Sequence, residues 1–179
     1  MSAGVMIPPV ILRCTVKLLS LLGADTRELA GVEPSDADWY ANLLWLDRLK
    51  CLLLAHADTL FAVLVADVRK ADLLPLGPLV VEIIQRELRS EGLPPDTFGD
   101  LDSGAVELAR TASRPVLGYM NDLTRSCKYK IAKAGGLARC DVEQLNRELR
   151  REIHLSRQPP GYFVPIDLVR LRSGRPRVS

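Results

Sequence analysis

Three polar residues stand where a short apolar strand is predicted to give way to a helix. Arg13, Thr15 and Lys17 alternate with less polar neighbours, and threonine is a residue type that commonly precedes the first turn of a helix. The amide groups at a helix start, with two cations beside them, favour a bound anion such as a phosphate. The alternative is a capped helix with solvated charges, because the glycine-rich loop of a phosphate cradle is absent.

A second group combines aromatic and basic residues around a predicted strand and its turn. Trp39 and Asn42 lie in the strand, and Arg48 and Lys50 follow at the turn. An aromatic ring stacked on a base, with cations on the phosphates, is typical of nucleic-acid binding. The alternative is that Trp39 and Trp45 are core residues. In that case the two cations serve to blunt a strand edge.

Patterns for catalysis or metal binding are weaker than those for binding. Asn121 borders an apolar helical stripe, where it either orients a loop or touches a ligand. No serine or cysteine has an evident base, and His56 and His154 are far apart in the chain. The four cysteines form no Cys-x-x-Cys pair, which favours reduced, buried thiols. We therefore expect no metal and no cofactor, and we favour a binding role over an enzyme.

The net charge of +2 hides an asymmetry along the chain. Residues 1–123 contain 11 Lys and Arg against 17 Asp and Glu, a balance of −6, whereas residues 124–179 contain 13 against 5, a balance of +8. A basic C-terminal third attracts phosphate or an acidic partner. It can equally pair with the acidic part of its own chain or of a second copy.

Hydrophobic periodicity and turn residues predict the strands that position these groups. A first strand covers 10–14 and leads into a short helix that ends at Gly23. Three further strands, joined by short turns, form an antiparallel meander with both faces covered; they are predicted at 39–46, 50–55 and 59–65.

The remainder of the chain is predicted to be helical. The helices are expected at 77–92, from Asp102 or Ser103 to Arg110, at 113–135 and at 142–154, followed by a short segment at 166–171. The predicted fold class is α+β, with a small antiparallel sheet (the three-strand meander plus the N-terminal strand) packed with C-terminal helices. One domain is expected over 1–171, and a disordered, Arg-rich tail over 172–179.

Three short motifs occur in a particular order and spacing. They are Cys14-Thr15-x-Lys17 in the opening strand, Trp39-Tyr40-Ala41-Asn42 in the next strand, and Gly118-x-Met120-Asn121 in a late helix. Together they resemble a family of small bacterial proteins catalogued only as a domain of unknown function. The resemblance spans about residues 10–171. It implies one domain and carries no activity.

The sequence therefore predicts a cytoplasmic domain that binds a macromolecular partner, either a protein or a nucleic acid. Two alternatives stay open: an enzyme acting on a phosphate-bearing substrate, and a structural homo-oligomer in which basic and acidic parts of two copies meet. No signal peptide is recognised and no apolar run approaches about 20 residues, so no membrane association is expected. The candidate binding residues are Arg13, Thr15, Lys17, Trp39, Asn42, Arg48, Lys50 and Asn121.

Overall fold

The computed structural model describes residues 7–101, 105–157 and 160–174. The strands are β1 (Val10–Cys14), β2 (Trp39–Leu46), β3 (Leu49–His56), β4 (Ala62–Val65), β5 (Val106–Arg110), β6 (His154–Arg157) and β7 (Pro160–Phe163). The α-helices are α1 (Val16–Leu22), α2 (Leu76–Ser90), α3 (Arg114–Lys133), α4 (Val142–Leu149) and α5 (Pro165–Arg172). The helix caps predicted at Asp102 or Ser103 lie outside the described residues, as does the predicted tail from residue 175 onwards.

Five strands form one mixed sheet in the order β4-β3-β2-β1-β5, and β6 pairs with β7 in a separate hairpin. The antiparallel meander β2-β3-β4 is confirmed. However, β1 runs parallel to both β2 and β5, so the sheet is mixed rather than antiparallel throughout. The reason is α1, a crossover helix that carries the chain back so that β2 starts in the same direction as β1. The α+β class is confirmed.

The fifth strand replaces a predicted helix. The segment ending at Arg110 pairs in register with β1, from Val10 opposite Val106 to Cys14 opposite Arg110. Val106 and Leu108 pack against the same core, whereas Glu107 between them is exposed, which is the two-residue period of a strand. The helix prediction was wrong here because five residues are too few for the strand and helix periods to separate.

Both faces of the sheet are covered, as its near-continuous apolar strands predict. On one face, Trp39 and Leu43 of β2 pack in a core with residues of α1, α2 and α5. On the other face, Tyr40 and Leu44 pack with residues of α3 and α4. We call these the α1/α2 face and the α3/α4 face. Full burial of a large apolar side chain of this kind stabilises the fold by about 1.5–3 kcal/mol.

Most helix ends follow their capping residues. α1 ends where predicted, because Gly23 adopts the left-handed conformation with a φ of 65°. Ser113 caps α3 by accepting a hydrogen bond from the Val116 amide at 3.4 Å. In contrast, α4 ends at Leu149 and not at residue 154, since Ile153 of the predicted stripe is 72% exposed and the chain turns into the β6–β7 hairpin. Among the described residues, no helix combines the length and apolar character that crossing a membrane requires.

Helix α4 and the residue that follows it close the outer edge of β4 with two side chains one turn apart. The Asn146 side chain accepts a hydrogen bond from the Leu64 amide at 2.7 Å and donates one to the Leu64 carbonyl at 3.0 Å. Arg150 is fully buried, donates to the Ala62 carbonyl at 3.3 Å and pairs with Glu87 of α2 at 3.0 Å. Because unpaired backbone groups of an edge strand recruit further strands, these contacts protect β4 from strand addition.

Candidate functional site

Arg13, predicted to bind an anion, lies inside the fold with 2% of its surface exposed. Its Nε lies 2.5 Å from Oδ2 of Asp38. Its two Nη atoms donate to the backbone carbonyls of Arg110, at 3.0 Å, and Val32, at 2.8 Å. The Asp38 carboxylate also accepts a hydrogen bond from the Ser35 amide at 3.0 Å. Arg13 therefore ties β1, β5 and the segment before β2 together, and all three of its nitrogen atoms are engaged.

Trp39 is a core residue, as the structural alternative predicts, and it is 1% exposed. Its ring makes edge contacts with His56 and Phe98, at centroid distances of 5.1 and 5.0 Å. Burial of His56, with the charge of Arg172 as a second cause, lowers the pKa of its imidazole to about 3. The cluster therefore holds a neutral histidine within an aromatic wall.

Thr15 and Asn42 are brought together where β1 ends. Thr15 Oγ1 donates to Asn42 Oδ1 at 2.9 Å, and the Thr15 amide donates to the Ala41 carbonyl at 3.1 Å. The pairing of β1 with β2 ends at Ala41, so within the described residues the remainder of β2 has no strand on that side. Lys17 is exposed in the first turn of α1, on the surface near this end of β1.

The turn between β2 and β3 is held in place by a neighbouring segment. Asp47 and Arg48 have φ angles of 49° and 67°, both in the left-handed region that two-residue hairpin turns require. The Asp47 carboxylate accepts a hydrogen bond from the Leu137 amide at 2.5 Å, which fastens the turn to the segment after α3. Arg48 is therefore presented to solvent from a fixed support.

Trp45, which the same alternative predicts to be a core residue, is exposed instead, and it is a functional candidate that the sequence pattern did not single out. Strand alternation places it on the same face as Trp39, yet it is 57% exposed, whereas Leu43, two residues earlier, is 5% exposed. Its cross-strand partner Lys50 holds Nζ 5.2 Å from the centre of the Trp45 ring, a cation–π contact. The sequence signal for this exposure was the position of Trp45 close to the Asp47 turn, because the end of a strand next to a turn can extend beyond the helices that cover the sheet.

A shallow groove of about 190 Å³ lies between the end of β2 and the C-terminal half of α3. Its lining residues are Trp45, Leu46 and Asp47 from the sheet and Lys128, Ile131 and Ala132 from α3. Lys128 is exposed and adds a cation from the basic C-terminal third of the chain. It lies on the α3/α4 face, whereas strand alternation places the Trp45 and Lys50 side chains on the α1/α2 face at the same end of the sheet. We call Trp45, Arg48, Lys50 and Lys128 the hairpin patch.

The three cations of the hairpin patch form no ion pair with any residue that the structure describes. The Asp47 carboxylate, which lies nearby, accepts a hydrogen bond from a backbone amide. A second carboxylate, Asp67, lies in the segment beside Lys50, where the amide of the next residue, Val68, donates to the Lys50 carbonyl at 2.8 Å. Asn121 is exposed on α3 seven residues before Lys128, on the same side of the helix and about 10 Å along its axis.

Of the eight predicted residues, the structure thus places two in the interior, Arg13 and Trp39. It pairs Thr15 with Asn42 at the end of β1. It places Arg48 in the turn next to the cross-strand pair of Trp45 and Lys50, and Lys128 lines a groove together with Trp45. The eight residues therefore do not form one continuous surface.

The thiols and imidazoles of the chain are buried or shielded. Burial raises the pKa of the Cys14 thiol to about 12, and burial together with the charge of Glu152 raises the pKa of Cys127 to about 12. Burial lowers the pKa of His154. Within the described ranges, no three His, Cys, Asp or Glu side chains form a group that could hold a metal ion. The hairpin patch itself offers stacking and positive charge, and none of its four side chains is a nucleophile or a general base at neutral pH.

A family model described as "Domain of unknown function (DUF6933)" matches residues 11–168. This range begins in β1 and ends in α5, so it includes the five-stranded sheet, the helices on both of its faces and the hairpin patch. No curated protein and no solved structure matches the chain.

Proposed function

Since the chain belongs to the DUF6933 family, whose description states no activity, we propose its function from the hairpin patch: the protein binds a macromolecular partner, and that partner is single-stranded nucleic acid. The observation that carries the proposal is the exposed Trp45 ring beside the Lys50 ammonium group. Stacking of a base on an aromatic side chain contributes about 1–3 kcal/mol per base and tolerates any base. Stacking on one exposed tryptophan can therefore supply a substantial fraction of the binding free energy of a weak complex that does not depend on base sequence.

The charges around Trp45 support an anionic partner. Arg48, Lys50 and Lys128 form no ion pair with a described residue, and the Asp47 carboxylate, which lines the groove, accepts a hydrogen bond from the Leu137 amide. Each phosphate neutralised on a single strand contributes a slope of about −0.7 to the dependence of log K on log salt. Three contacts give a slope of about −2, which is roughly a 20-fold loss of affinity between 50 and 200 mM salt.

We favour nucleic-acid binding over the three alternatives that the sequence left open: a protein partner, an enzyme and a homo-oligomer. The unpaired edge of β2 beyond Ala41 is suited to adding a peptide strand, but strand addition does not use an exposed tryptophan flanked by cations. A phosphate-processing enzyme needs an acid, a base or a nucleophile beside its anion site, and the hairpin patch has none of these. If the protein were instead a homo-oligomer held together by opposite charges, its self-association would occur without any ligand and would weaken as salt is added.

Fluorescence provides a direct test, because the two tryptophans of the chain differ in exposure. Titration of the protein with a twelve-residue oligothymidylate in 50 mM salt should quench the exposed Trp45 and leave the buried Trp39 unaffected. Trp45→Ala should abolish the quenching and weaken binding, measured by anisotropy of a labelled oligonucleotide, by about fivefold or more. Tyr162→Ala is the matched control, since Tyr162 is an aromatic residue of β7 that is 79% exposed and lies outside the patch.

The cations are tested separately. Arg48→Gln and Lys128→Gln should each weaken binding by a few-fold and reduce the salt slope by about 0.7, whereas Lys17→Gln, at the start of α1, should change neither. Absence of quenching and of anisotropy change at 100 µM oligonucleotide would overturn the proposal. So would an affinity that is the same in 50 and 200 mM salt. An equal loss in Lys17→Gln would move the anion site from the hairpin to α1.

A further inference from the structure

Helix α3 runs antiparallel to β2, as two contacts at its opposite ends show. At the start of the helix, the amide of its capping residue Ser113 donates to the hydroxyl of Tyr40 at 3.3 Å, near the start of the strand's neighbour in the chain order, β2. Near the end of the helix, Lys128 lines the groove together with Leu46, the last residue of β2. The helix therefore follows β2 past Ala41, beyond which no described strand pairs with β2 on its outer side.

Three exposed residues are spaced by seven positions along α3: Arg114, Asn121 and Lys128. Seven residues make nearly two helical turns, so the three side chains form one stripe that is about 21 Å long and begins at the groove. Arg114, like Lys128, forms no ion pair with a described residue. The Asp122 carboxylate, next to Asn121 in the chain, is paired with Arg125.

Asn42 adds a free hydrogen-bond donor on β2, between the two contacts with α3. Strand alternation places its side chain on the α3/α4 face, since Tyr40 and Leu44 on either side of it pack in that core. Its Oδ1 accepts a hydrogen bond from the Thr15 hydroxyl at 2.9 Å, whereas its Nδ2 forms none with a described residue. An amide nitrogen of this kind donates to phosphate oxygens and to acceptors on base edges.

We propose that the single strand bound at the hairpin patch continues along this stripe, so that the site holds about four nucleotides or more and selects its ligands by length. The inference rests on the proposed function and adds a path to it, from Trp45 at the hairpin to Arg114 at the start of α3. Arg114 neutralises a phosphate at the far end of this path. Asn42 and Asn121 supply hydrogen bonds between the two ends.

The path passes from one face of the sheet to the other. Strand alternation places the Trp45 ring on the α1/α2 face, whereas the stripe lies on the α3/α4 face. The two are joined across the outer edge of β2 beyond Ala41, where no described strand stands in the way. A ligand that is long enough to cross this edge gains the contacts with α3, and a shorter one stays at the hairpin.

Oligothymidylates of two and six residues test the selection by length, with quenching of Trp45 as the readout. The six-residue probe should bind more tightly than the dinucleotide by at least about tenfold, because it alone reaches the stripe. A site confined to the hairpin would give a gain of only about fivefold, one step for each register of the longer probe. A gain smaller than tenfold would therefore overturn the inference.

Substitutions at the far end of the stripe test the path itself, with a twelve-residue oligothymidylate as the probe. Arg114→Gln should weaken its binding by a few-fold and reduce the salt slope by about 0.7. Asn121→Asp, which places a carboxylate in the path with almost no change of size, should also weaken binding by a few-fold. Arg89→Gln is the matched control, since Arg89 is an exposed arginine of α2, on the opposite face of the sheet.

Failure of this inference is distinguishable from failure of the proposed function. If the probe quenches Trp45 but binds Arg114→Gln and Asn121→Asp as tightly as the unaltered protein, the strand leaves the protein at the hairpin; the inference is then overturned and the proposed function stands. An equal loss in Arg89→Gln would also overturn it, because net charge alone would explain the effect. If the twelve-residue probe does not quench Trp45 at 100 µM, the proposed function fails and the inference fails with it.

Discussion

Replacing Asp38 by asparagine should destabilise the protein severely, because Arg13 then remains buried with its charge uncompensated. The two side chains are 3% and 4% exposed, and Nε lies 2.5 Å from Oδ2. Removal of one partner from a buried ion pair costs about 3–5 kcal/mol. Arg13 keeps its two carbonyl acceptors, at 3.0 and 2.8 Å, and an asparagine oxygen can still accept from the Ser35 amide. We therefore expect the lower end of that range, about 3 kcal/mol.

Urea unfolding, followed through the fluorescence of the buried Trp39, measures this loss. With a slope typical of small proteins, Asp38→Asn should lower the unfolding midpoint by about 1–2 M urea. Asp36→Asn is the matched control: Asp36 is an exposed carboxylate of the same loop, and its loss should change the free energy of unfolding by less than about 0.5 kcal/mol.

A double-mutant cycle isolates the pair itself. Arg13→Met combined with Asp38→Asn removes both charges, so the double variant should be more stable than the sum of the two single losses predicts, by at least about 1.5 kcal/mol. If the free energy of unfolding of Asp38→Asn lies within 0.5 kcal/mol of that of the unaltered protein, the ion pair with Asp38 does not hold Arg13 in place. Its assignment as an internal residue that joins β1, β5 and the segment before β2 would then be refuted.

Three further outcomes follow from the structure. Asn146→Ala should cost about 2–4 kcal/mol in urea unfolding, since it leaves the Leu64 amide and carbonyl unpaired, and light scattering should show association through the uncovered edge of β4. The pKa of His56 is lowered to about 3, so between about pH 6.5 and pH 3 this imidazole takes up a proton only in the unfolded chain. Its contribution to stability should therefore fall by about 2 kcal/mol from pH 7 to pH 5, and His56→Gln should remove that share of the loss while the share of His154, whose pKa burial also lowers, remains. Iodoacetamide should modify the half-buried Cys140 of the folded protein before Cys14, whose thiol has a pKa of about 12, as peptide mass spectrometry will show.

Local signals predicted the first half of the fold closely. Val10–Cys14, Val16–Leu22 and Trp39–Leu46 have the predicted bounds, because a glycine and a two-residue turn mark where the chain must change direction. The pairing of β1 with β5 was not predictable in the same way. It joins segments about 96 residues apart, and the periodicity of one segment contains no information about its partner.

The candidate site shows where sequence reasoning stops. In the sequence, Arg13 has no evident counterion, because Asp38 lies 25 positions away. The intervening loop must fold back to bring the Asp38 carboxylate to it. Trp39 and Trp45 are equivalent by strand alternation, but His56 and Phe98 pack against the ring of Trp39, whereas Trp45 lies 57% exposed beside the hairpin turn. The face of the sheet on which a side chain lies follows from strand alternation, whereas whether that part of the face is covered depends on tertiary structure.

The hydrogen bond between the Asp47 carboxylate and the Leu137 amide joins two segments 90 positions apart, and it supplies a built-in reporter. A backbone N–H held by a side chain exchanges with deuterium only when that contact opens. The exchange rate of the single Leu137 amide therefore measures how often the hairpin tip detaches from the segment after α3. A ligand bound to Trp45 and Arg48 would slow this exchange without contacting Leu137. The exchange rate of the Leu137 amide would therefore report how much of the hairpin is occupied by ligand.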